Sequence, residues 1–268
     1  MAKAPPVVLS IAGYDPSSGA GITADIKTIA AHHCFGITCA TAMTVQSTRG
    51  VKRVQPLAGA MVSATLAELA SDFDPAAIRI GMLGSGEVAE AVANFLAKAG
   101  ATKVVLDPIL RSSSGVELLD HQGLEVLRSR LLPLATVVTP NLDEAAALTG
   151  LAISDAGGMK AAAERLHELG AANVVITGGH LPQPMDLLSC RSGNGIMQQE
   201  FRGERIQSRA THGTGCAFAT ALACNLALGS ALPEAVGRAG EYVRAAIRHA
   251  YPVGKGRGPV NHLYEFER

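Results

Sequence analysis

The sequence lacks several features that would assign it to a whole class of proteins. No run approaches the roughly 18 consecutive apolar residues of a membrane span. Residues 1–6 contain one Lys and no long apolar stretch ending in a small-residue cleavage site, so we expect no signal peptide. The 23 basic and 23 acidic side chains balance to a formal net charge of zero. This balance gives no electrostatic footprint for nucleic acid and no polybasic patch for a membrane surface, so we expect neither as a partner.

Cysteine is also sparse and gives no sign of a metal site. The five cysteines, an odd number without paired metal-ligand spacing, are Cys34, Cys39, Cys190, Cys216 and Cys224. Cytosolic proteins keep their thiols reduced, and free cysteines are among the most buried residue types. We therefore expect a cytoplasmic protein in which four of these thiols are packing residues. Cys216, at the start of a helix, has a different predicted part.

What the chain does contain is apolar sequence in a regular order. Apolar residues make up 48% of it, enough for a large buried core. Short β-branched runs predict strands at 7–11, 37–44, 78–81, 103–106, 136–138 and 173–177. Stretches of helical period predict helices at 24–33, 58–70, 88–99, 123–131, 159–169, 213–228 and 233–250. Because the strands are continuously apolar, we expect an α/β fold with helices on both faces of a mostly parallel sheet.

One segment interrupts this order. Residues 185–208 predict two or three short strands, with a hairpin turn at Gly193-Asn194-Gly195. The length would allow two small domains. However, the chain contains no linker of flexible composition and no repeat, so we predict one domain over residues 1–268.

The turns that follow the strands are where such a sheet binds ligands. After the first strand comes a run of small and turn-forming residues, 12–21, whose backbone amides a ligand could reach. It is neither a Walker A loop, since no Lys-Ser/Thr pair ends it, nor a dinucleotide fingerprint. A tight strand–helix turn would have the same composition. Asp25, one helical turn further on, is either a favourable partner of the helix dipole or a carboxylate that accepts hydrogen bonds from a substrate.

A stronger indication is the run 211–216, Thr-His-Gly-Thr-Gly-Cys, which leads directly into an Ala-rich helix. Gly213 and Gly215 flank Thr214 where unpaired amides and the positive end of the helix dipole gather. This predicts an anion hole suited to the charge of a phosphoryl group in transfer. Cys216 would lie in the first turn, where the pKa of a thiol tends to fall. A capped core helix with a buried Cys would show the same residues.

Two further places suit a magnesium ion with phosphate. Asn141 and Glu144 are three residues apart at a predicted helix start and so lie on one face, although a helix capping box has the same letters. Asp107 follows directly after a predicted strand, in a position suited to hydrated Mg²⁺.

In combination these motifs resemble the hydroxymethylpyrimidine/phosphomethylpyrimidine kinases of thiamine biosynthesis, and less closely the related pyridoxal kinases. The matching segments follow in order along nearly the whole chain: 11–13, 15–16, 19–21, 24–28, Gln46, 48–51, 81–83, 107–108, 139–142, 178–180 (Gly178-Gly179-His180), 212–216, 254–256 and 258–260. Any one of these segments is weak evidence, but eight or more in order are hard to reach by chance.

The resemblance implies a ribokinase-like fold, Mg-ATP as phosphate donor, a pyrimidine substrate and a homo-oligomer, with a dimer favoured. By resemblance the pyrimidine pocket is lined by Gly13, Asp25, Gln46, Met82 and Ile109. Gln46 offers an aminopyrimidine both donor and acceptor, and Asp25 accepts from its amine. The resemblance assigns Asn141 and Glu144 to the Mg-phosphate site, the Gly213–Gly215 turn to the anion hole, and Lys255, in its Gly-rich segment, to the nucleotide border. The Cys216 thiolate would be the base that takes the hydroxyl proton.

The chain departs from the family pattern at two positions. Thr177, before Gly178 and Gly179, stands where family members usually have a Lys that reaches toward the transferred phosphates. Arg111 lies on the loop after Asp107, and we hypothesise that this loop, 110–115, closes over the site and that Arg111 partly replaces the missing Lys. The alternative is a solvated Arg. Two other functions stay open: a pyridoxal kinase, and a pyrimidine-binding relative that catalyses weakly because of Thr177.

Overall fold

The computed structural model describes residues 4–100, 102–179, 181–193 and 195–266. The strands are β1 (Val7–Tyr14), β2 (Phe35–Ser47), β3 (Gly50–Pro56), β4 (Ala77–Ile80), β5 (Lys103–Leu106), β6 (Val137–Val138), β7 (Asn173–Gly178), β8 (Met185–Ser192) and β9 (Gly195–Arg202). The helices are α1 (Gly21–Ala31), α2 (Gly59–Asp72), α3 (Gly86–Leu96), α4 (His121–Val126), α5 (Leu132–Leu134), α6 (Leu142–Thr149), α7 (Ala156–Glu168), α8 (Thr214–Ala227) and α9 (Leu232–Arg248).

Within these described ranges, nine strands form one sheet in the order β3-β2-β1-β4-β5-β6-β7-β8-β9. The six strands from β2 to β7 run parallel, and β3, β8 and β9 are antiparallel to their neighbours. The predicted α/β fold with a mostly parallel sheet is confirmed. Strand β3 was not predicted, because the polar side chains of Lys52, Arg53 and Gln55 interrupt its apolar pattern.

The predicted hairpin near residue 190 consists of β8 and β9, which pair from Met185 with Arg202 to Ser192 with Gly195. Asn194, in the predicted turn, lies outside the described residues. The predicted helix 123–131 differs from the structure, since α4 ends at Val126 and a π-helical turn, Leu127–Leu131, follows it. Pro133 has no amide hydrogen, so the regular helical ladder cannot continue through it.

Helices cover both faces of the sheet, as the continuously apolar strands predicted. Successive residues of β1 point to opposite faces. Leu9 belongs to a core cluster with residues of α2, α3 and α7. Val8 belongs to a second cluster with residues of α1, α8 and α9. The sheet is therefore the middle of three layers. No helix in the described part of the chain is long and apolar enough to cross a bilayer.

Helix α8 is the element that positions the candidate site. Its residues are buried from Cys216 to Leu226, because it lies between the sheet and the helices α1 and α9. Most of these side chains are small, so the helix comes close to the strands beneath it. Its first turn reaches the carboxyl ends of β4 and β5, where ligands bind in open α/β sheets.

Candidate functional site

An apolar cluster lies where β1 and β4 end, and we call its surface the candidate pocket. Met82, just after β4, packs with Ala42 and Leu118, and Ile109 lies against this cluster. Gly13 faces the Met82 side chain so closely that a β-carbon at position 13 would overlap the Met82 methyl carbon. The structure thus brings together three of the predicted substrate residues, Gly13, Met82 and Ile109. A flat heterocycle could pack on such a surface.

The polar edge of this pocket is a chain of three side chains: Gln46, His212 and Asp15. The side-chain amide of Gln46 lies 3.1 Å from Nε2 of His212, and the same ring nitrogen lies 2.9 Å from Oδ2 of Asp15. Gln46 belongs to β2, Asp15 to the turn after β1, and His212 directly precedes the turn before α8. The chain therefore links the pocket to the predicted anion hole.

Donor and acceptor counting fixes how the Gln46 amide is oriented. Burial alone would raise the pKa of Asp15, but hydrogen bonds from His212 and Ser17 outweigh it and lower that pKa. Asp15 is thus a carboxylate, and His212 must donate its Nε2 hydrogen to it. That nitrogen cannot also accept a hydrogen from the Gln46 nitrogen that lies 3.1 Å from it, so the amide must be turned by 180°, which places the Gln46 oxygen against His212. The Gln46 NH₂ group then faces Thr44 Oγ1, whose own hydrogen goes to the carbonyl of Tyr14 at 2.9 Å.

Asp15 also holds the turn after β1 in place. Its Oδ1 accepts hydrogen bonds from the amide and the hydroxyl of Ser17, at 2.8 and 2.7 Å, and its Oδ2 accepts from the amide of Ala20 at 2.9 Å. Asp15 and His212 belong to motifs of the family resemblance, but the sequence alone predicts no role for either. The signal that could have found them is that each belongs to a turn predicted to bind ligand.

The turn before α8 is built for close approach. Gly213 has a φ of 81°, a left-handed conformation that favours glycine, and a β-carbon there would overlap the carbonyl oxygen of Gly19. The first bond of the helix runs from the amide of Ala217 to the carbonyl of Gly213, at 2.8 Å. The amides of Thr214, Gly215 and Cys216 therefore have no partner within the helix.

Gly215 is exposed, and a β-carbon there would meet no described atom within 4 Å. The head of α8 thus presents open amide groups beside the pocket. This is the arrangement that an anion requires. The contact of His212 with Gln46 brings this turn beside Gln46, as the anion-hole prediction requires.

Beneath this helix head lies a fully buried cation, Arg79. Its guanidinium contacts Oδ2 of Asp25 at 3.0 Å and Oδ2 of Asp107 at 2.5 Å. The sequence analysis missed Arg79 because it lies within an apolar strand, 77–80. A charged residue at such a position is itself the signal, since a buried cation requires buried anions.

Asp25 was predicted to line the pyrimidine pocket and to accept a hydrogen bond from the substrate amine, and this prediction is wrong. Asp25 is fully buried, and its oxygens accept hydrogen bonds from Ser10 at 2.6 Å, from Arg79 at 3.0 Å and from Thr220 at 2.8 Å. It therefore does not line the pocket or offer an oxygen to a substrate amine. Its charge instead balances Arg79 and anchors α8 through Thr220.

The prediction that the first turn of α8 lowers the pKa of Cys216 is also wrong. Burial raises the pKa of this thiol to about 12, against the opposing effect of the Arg79 guanidinium. The carboxylates of Asp107 and Asp25 raise it further. Cys216 is a neutral thiol in this environment, in hydrogen-bonding contact with Arg79 and Asp107. These surroundings do not favour a Cys216 thiol that is already ionised and ready to act as the base.

Asn141 and Glu144 form the capping box that the sequence allowed as the alternative. The Asn141 side chain accepts from the amide of Glu144, and the Glu144 carboxylate accepts from the amide of Asn141, both at 2.9 Å. Burial, with the nearby charge of Asp107, raises the pKa of Glu144 to about 8. The two carboxylates thus lie close enough to repel each other.

This repulsion bears on the predicted metal site. A divalent cation beside Glu144 would relieve it, so the charge of these residues fits magnesium held through water. Asp107 is a poorer ligand than predicted, because it is buried and one oxygen is already paired with Arg79. Among the residues that the structure describes, no cluster of three or more His, Cys, Asp or Glu side chains is arranged to hold a metal directly.

The sequence from residue 15 to residue 261 matches a family model described as phosphomethylpyrimidine kinase. The chain belongs to this family. It is 44% identical over 259 residues to a hydroxymethylpyrimidine/phosphomethylpyrimidine kinase of Streptomyces coelicolor, covering 96% of this chain and 94% of the relative. It is 44% identical over 262 residues to the thiamine biosynthesis bifunctional protein ThiED of Geobacter sulfurreducens, covering 97% of this chain and 53%, about half, of that longer protein.

The fold is ribokinase-like. A crystal structure of an ADP complex of Bacillus subtilis pyridoxal kinase superposes with a TM-score of 0.88 at 32% identity. The superposition covers 98% of this chain and 99% of the other. Phosphomethylpyrimidine kinases and pyridoxal kinases thus share this architecture, and the choice between their substrates has to be argued from the pocket.

Four residues of this phosphomethylpyrimidine kinase family member remain to be placed. Thr177 donates its amide hydrogen to the carbonyl of Pro140 at 2.9 Å, which brings it beside Asn141. Gly179 has open space around it, and His180 lies outside the described residues. Lys255 lies beside the turn after β2, with its amide 3.2 Å from Oγ1 of Thr48. Arg111 is exposed and pairs with Glu117 at 3.4 Å. In this structure it is therefore a solvated Arg, as the alternative interpretation of the sequence allowed.

Proposed function

We propose that the protein transfers the γ-phosphoryl group of ATP to the hydroxymethyl arm of 4-amino-5-hydroxymethyl-2-methylpyrimidine, and also to its monophosphate, in thiamine biosynthesis. The observation that carries this proposal is the contact of Gln46 with His212. It joins the apolar candidate pocket to a helix head with open amides. A kinase needs these two features side by side, because the acceptor hydroxyl must lie beside the group that moves.

In the proposed complex, the pyrimidine ring packs on Met82 and Ile109 above Gly13. Gln46, oriented by His212 and Thr44, keeps one hydrogen of its NH₂ group for a ring nitrogen, and its oxygen has a lone pair for the exocyclic amine. The hydroxymethyl oxygen then points to the head of α8. Gly13, Gln46, Met82 and Ile109 are pocket residues that the resemblance implied, whereas His212 and Thr44 were found only in the structure.

The transfer itself forms a bond from the hydroxymethyl oxygen to the γ-phosphorus and breaks the bond from that phosphorus to the leaving oxygen of ADP. The hydroxyl proton passes to an oxygen of the transferred phosphoryl group and from there to water. In such loose transition states catalysis is mostly positioning and charge stabilisation. The amides of Thr214, Gly215 and Cys216 supply hydrogen bonds to the equatorial oxygens. Cys216, as a neutral thiol, contacts the hydroxyl rather than removing its proton in advance.

We place the nucleotide between Asn141, Thr177 and Gly179 on one side and the segment 254–258, with Lys255, on the other. Glu144 would hold Mg²⁺ through water, and Asp107 would add negative charge nearby. When bound, magnesium would neutralise charge on the phosphate oxygens. Burial and the nearby Asp107 raise the pKa of Glu144 to about 8, and a cation bound there would favour its carboxylate form.

Pyridoxal kinase is the second candidate function, favoured by the likeness to the pyridoxal kinase of Bacillus subtilis. Both substrates are methylated six-membered nitrogen heterocycles with a hydroxymethyl arm. The third reading, a pyrimidine-binding relative that catalyses weakly, rests on Thr177 alone. The open amides of α8 and the closely spaced carboxyl groups of Glu144 and Asp107 argue against it, because binding alone does not need them.

A coupled ADP-release assay tests the proposal. The purified protein is given Mg-ATP with the pyrimidine, with pyridoxal, or with neither. We expect ADP release that depends on the pyrimidine and is at least about tenfold slower with pyridoxal, a preference of about 1.4 kcal/mol in the transition state. Faster release with pyridoxal would make the second candidate correct, and no heterocycle-dependent release would refute both.

We also propose a homodimer that forms through the outer face of β2. Met43 and Val45 are 44% and 56% exposed, and they lie on the face of β2 opposite Gln46. Paired with them on β3 are Gln55 and Arg53, which give the face a polar margin. Exposed apolar residues with a polar margin are typical of an interface, and a second copy satisfies such a self-complementary surface.

We propose further that residues 1–268 act as one kinase domain in the cytoplasm. The continuity of one sheet from β1 to β9 supports the single domain. The five cysteines are all free thiols, which suits a reducing compartment where ATP is available.

A further inference from the structure

The turn between β2 and β3 holds the glycine-rich segment near the end of the chain. Thr48 Oγ1 accepts hydrogen bonds from the amides of Lys255 and Gly256, at 3.2 and 3.1 Å. The carbonyl of Thr48 accepts a third from the amide of Arg257 at 2.8 Å. Three successive backbone amides of the segment are therefore fixed by one residue of the turn.

The glycines of the segment are required by this contact. A β-carbon at Gly256 would overlap the carbonyl oxygen of Thr48, and one at Gly254 would overlap its hydroxyl oxygen. Gly254 also has a φ of 72°, in the left-handed region. The segment and Thr48 thus form a fitted pair rather than a chance surface contact.

The other end of the same segment is tied to the turn before α8. The amide of His212 donates to the carbonyl of Gly258 at 3.1 Å, and His212 and Pro259 form a single β-bridge. His212 in turn contacts Gln46, which lies two residues before Thr48 on β2. The contacts therefore close a ring: from Gln46 along β2 to Thr48, from Thr48 along 255–258 to His212, and from His212 back to Gln46.

This ring joins the two substrate sites. Gln46 belongs to the proposed pyrimidine pocket, and residues 254–258 border the proposed nucleotide site, so this step rests on the proposed function. A second loop, 110–115, contacts the start of β3 just after this turn, because the Ser114 hydroxyl accepts a hydrogen bond from the amide of Val51 at 3.3 Å. A pyrimidine that fixes Gln46 would also fix the turn and, through Thr48, the nucleotide side.

We propose that Thr48 is a positioning residue that couples pyrimidine binding to nucleotide binding. The bound pyrimidine restricts the motion of β2 at Gln46. The Thr48 hydroxyl, through its hydrogen bonds, then restricts the motion of the amides of 255 and 256. The nucleotide then binds to a segment that is already in place. Coupling of this kind is reciprocal, so the nucleotide also tightens pyrimidine binding by the same factor.

Calorimetric titration of the full chain with Mg²⁺ and a β,γ-methylene analogue of ATP, with and without saturating pyrimidine, measures the coupling. We expect the pyrimidine to tighten analogue binding by about 5- to 150-fold in the natural protein. Thr48→Val keeps the shape of the side chain but removes the hydroxyl oxygen, and should reduce the factor to about 2-fold or less. Thr48→Ser keeps that oxygen and should retain the coupling.

Ser47→Ala is the matched control. Within the described part of the chain, the Ser47 hydroxyl accepts one hydrogen bond, from the amide of Arg49 at 3.3 Å within the turn, so its loss should leave the coupling unchanged. A natural protein without coupling, a Thr48→Val variant coupled like the natural protein, or equal loss in Ser47→Ala would each overturn the proposal.

Amide hydrogen exchange of the natural protein gives a readout that needs no variant. Exchange at Lys255, Gly256 and Arg257 should slow when the pyrimidine alone is added, and unchanged exchange there would count against the coupling. The ADP-release assay distinguishes a failure of the role given to Thr48 from a failure of the proposed function. If release depends on the pyrimidine and Thr48→Val is still coupled, only the role of Thr48 fails. If release does not depend on it, the proposed function fails.

Discussion

Arg79 shows how much one side chain contributes at the centre of the site. It is fully buried and lies between Asp25 and Asp107, so the charges of the two acids depend on it. Removing one partner of a buried ion pair leaves an uncompensated charge, which is far more costly than losing a surface pair.

We predict that Arg79→Met destabilises the protein by about 3–5 kcal/mol, measured by urea unfolding. Arg79→Lys keeps the charge and should cost less. The matched control is Arg111→Met, which breaks only the exposed pair with Glu117 and should change stability by no more than about 0.5 kcal/mol. Equal effects at positions 79 and 111 would show that the buried cluster is not what stabilises this region.

Cys216 tests whether a thiolate base is used. Since burial raises the pKa of this thiol to about 12, we expect Cys216→Ala to lower kcat by roughly tenfold, the loss of one hydrogen-bonding contact. Cys216→Ser should recover part of that loss. Loss of general-base catalysis would cost about 10²- to 10⁴-fold. If a folded Cys216→Ala protein loses 10³-fold or more in kcat, Cys216 acts as the thiolate base that the resemblance implied.

At the scale of elements, the head of α8 is fixed by the turn that precedes it. Gly213→Ala would place a β-carbon on the Gly19 carbonyl and would force the turn and the open amides to move. We predict a loss of about 10²-fold or more in kcat, comparable to the removal of an oxyanion-hole donor.

Gly229 at the opposite end of α8 is the control for this change. It also has a positive φ, 94°, but a β-carbon there meets no described atom within 4 Å. Gly229→Ala should lower stability by about 1 kcal/mol through the same backbone strain and leave kcat unchanged. Both variants are compared by steady-state kinetics and thermal unfolding, and similar kcat values would contradict the role given to the turn.

The strands and turns differ in how well the sequence predicts them. Strand β5 and most of β7 were predictable because a buried parallel strand is a continuous apolar run. Strand β3 was not, because an edge strand carries polar residues on its open side. The site was predictable where a turn follows a strand, as at Gly213. The partners of Asp25 were not, because Ser10, Arg79 and Thr220 are distant in sequence and meet only through packing.

At the scale of the whole molecule, the proposed dimer is open to test by light scattering after size-exclusion chromatography. We predict that the natural protein is a dimer and that Val45→Glu makes it a monomer, because a charge would be buried in the apolar face of β2. The control is Ile196→Glu on β9, at the opposite edge of the sheet, where the side chain is 45% exposed. A dimer that persists in Val45→Glu, or dissociates equally in Ile196→Glu, would place the interface elsewhere.

The proposed mechanism requires that the phosphoryl group is transferred at the open amides at the head of α8. A crystal structure with the pyrimidine, Mg-ADP and aluminium fluoride, which imitates the transferred group, tests this most directly. We predict fluorides within about 2.7–3.1 Å of the amide nitrogens of the first turn of α8, with the pyrimidine on Met82 and Gln46. Aluminium fluoride bound away from that turn, or a pyrimidine outside the pocket, would contradict the account.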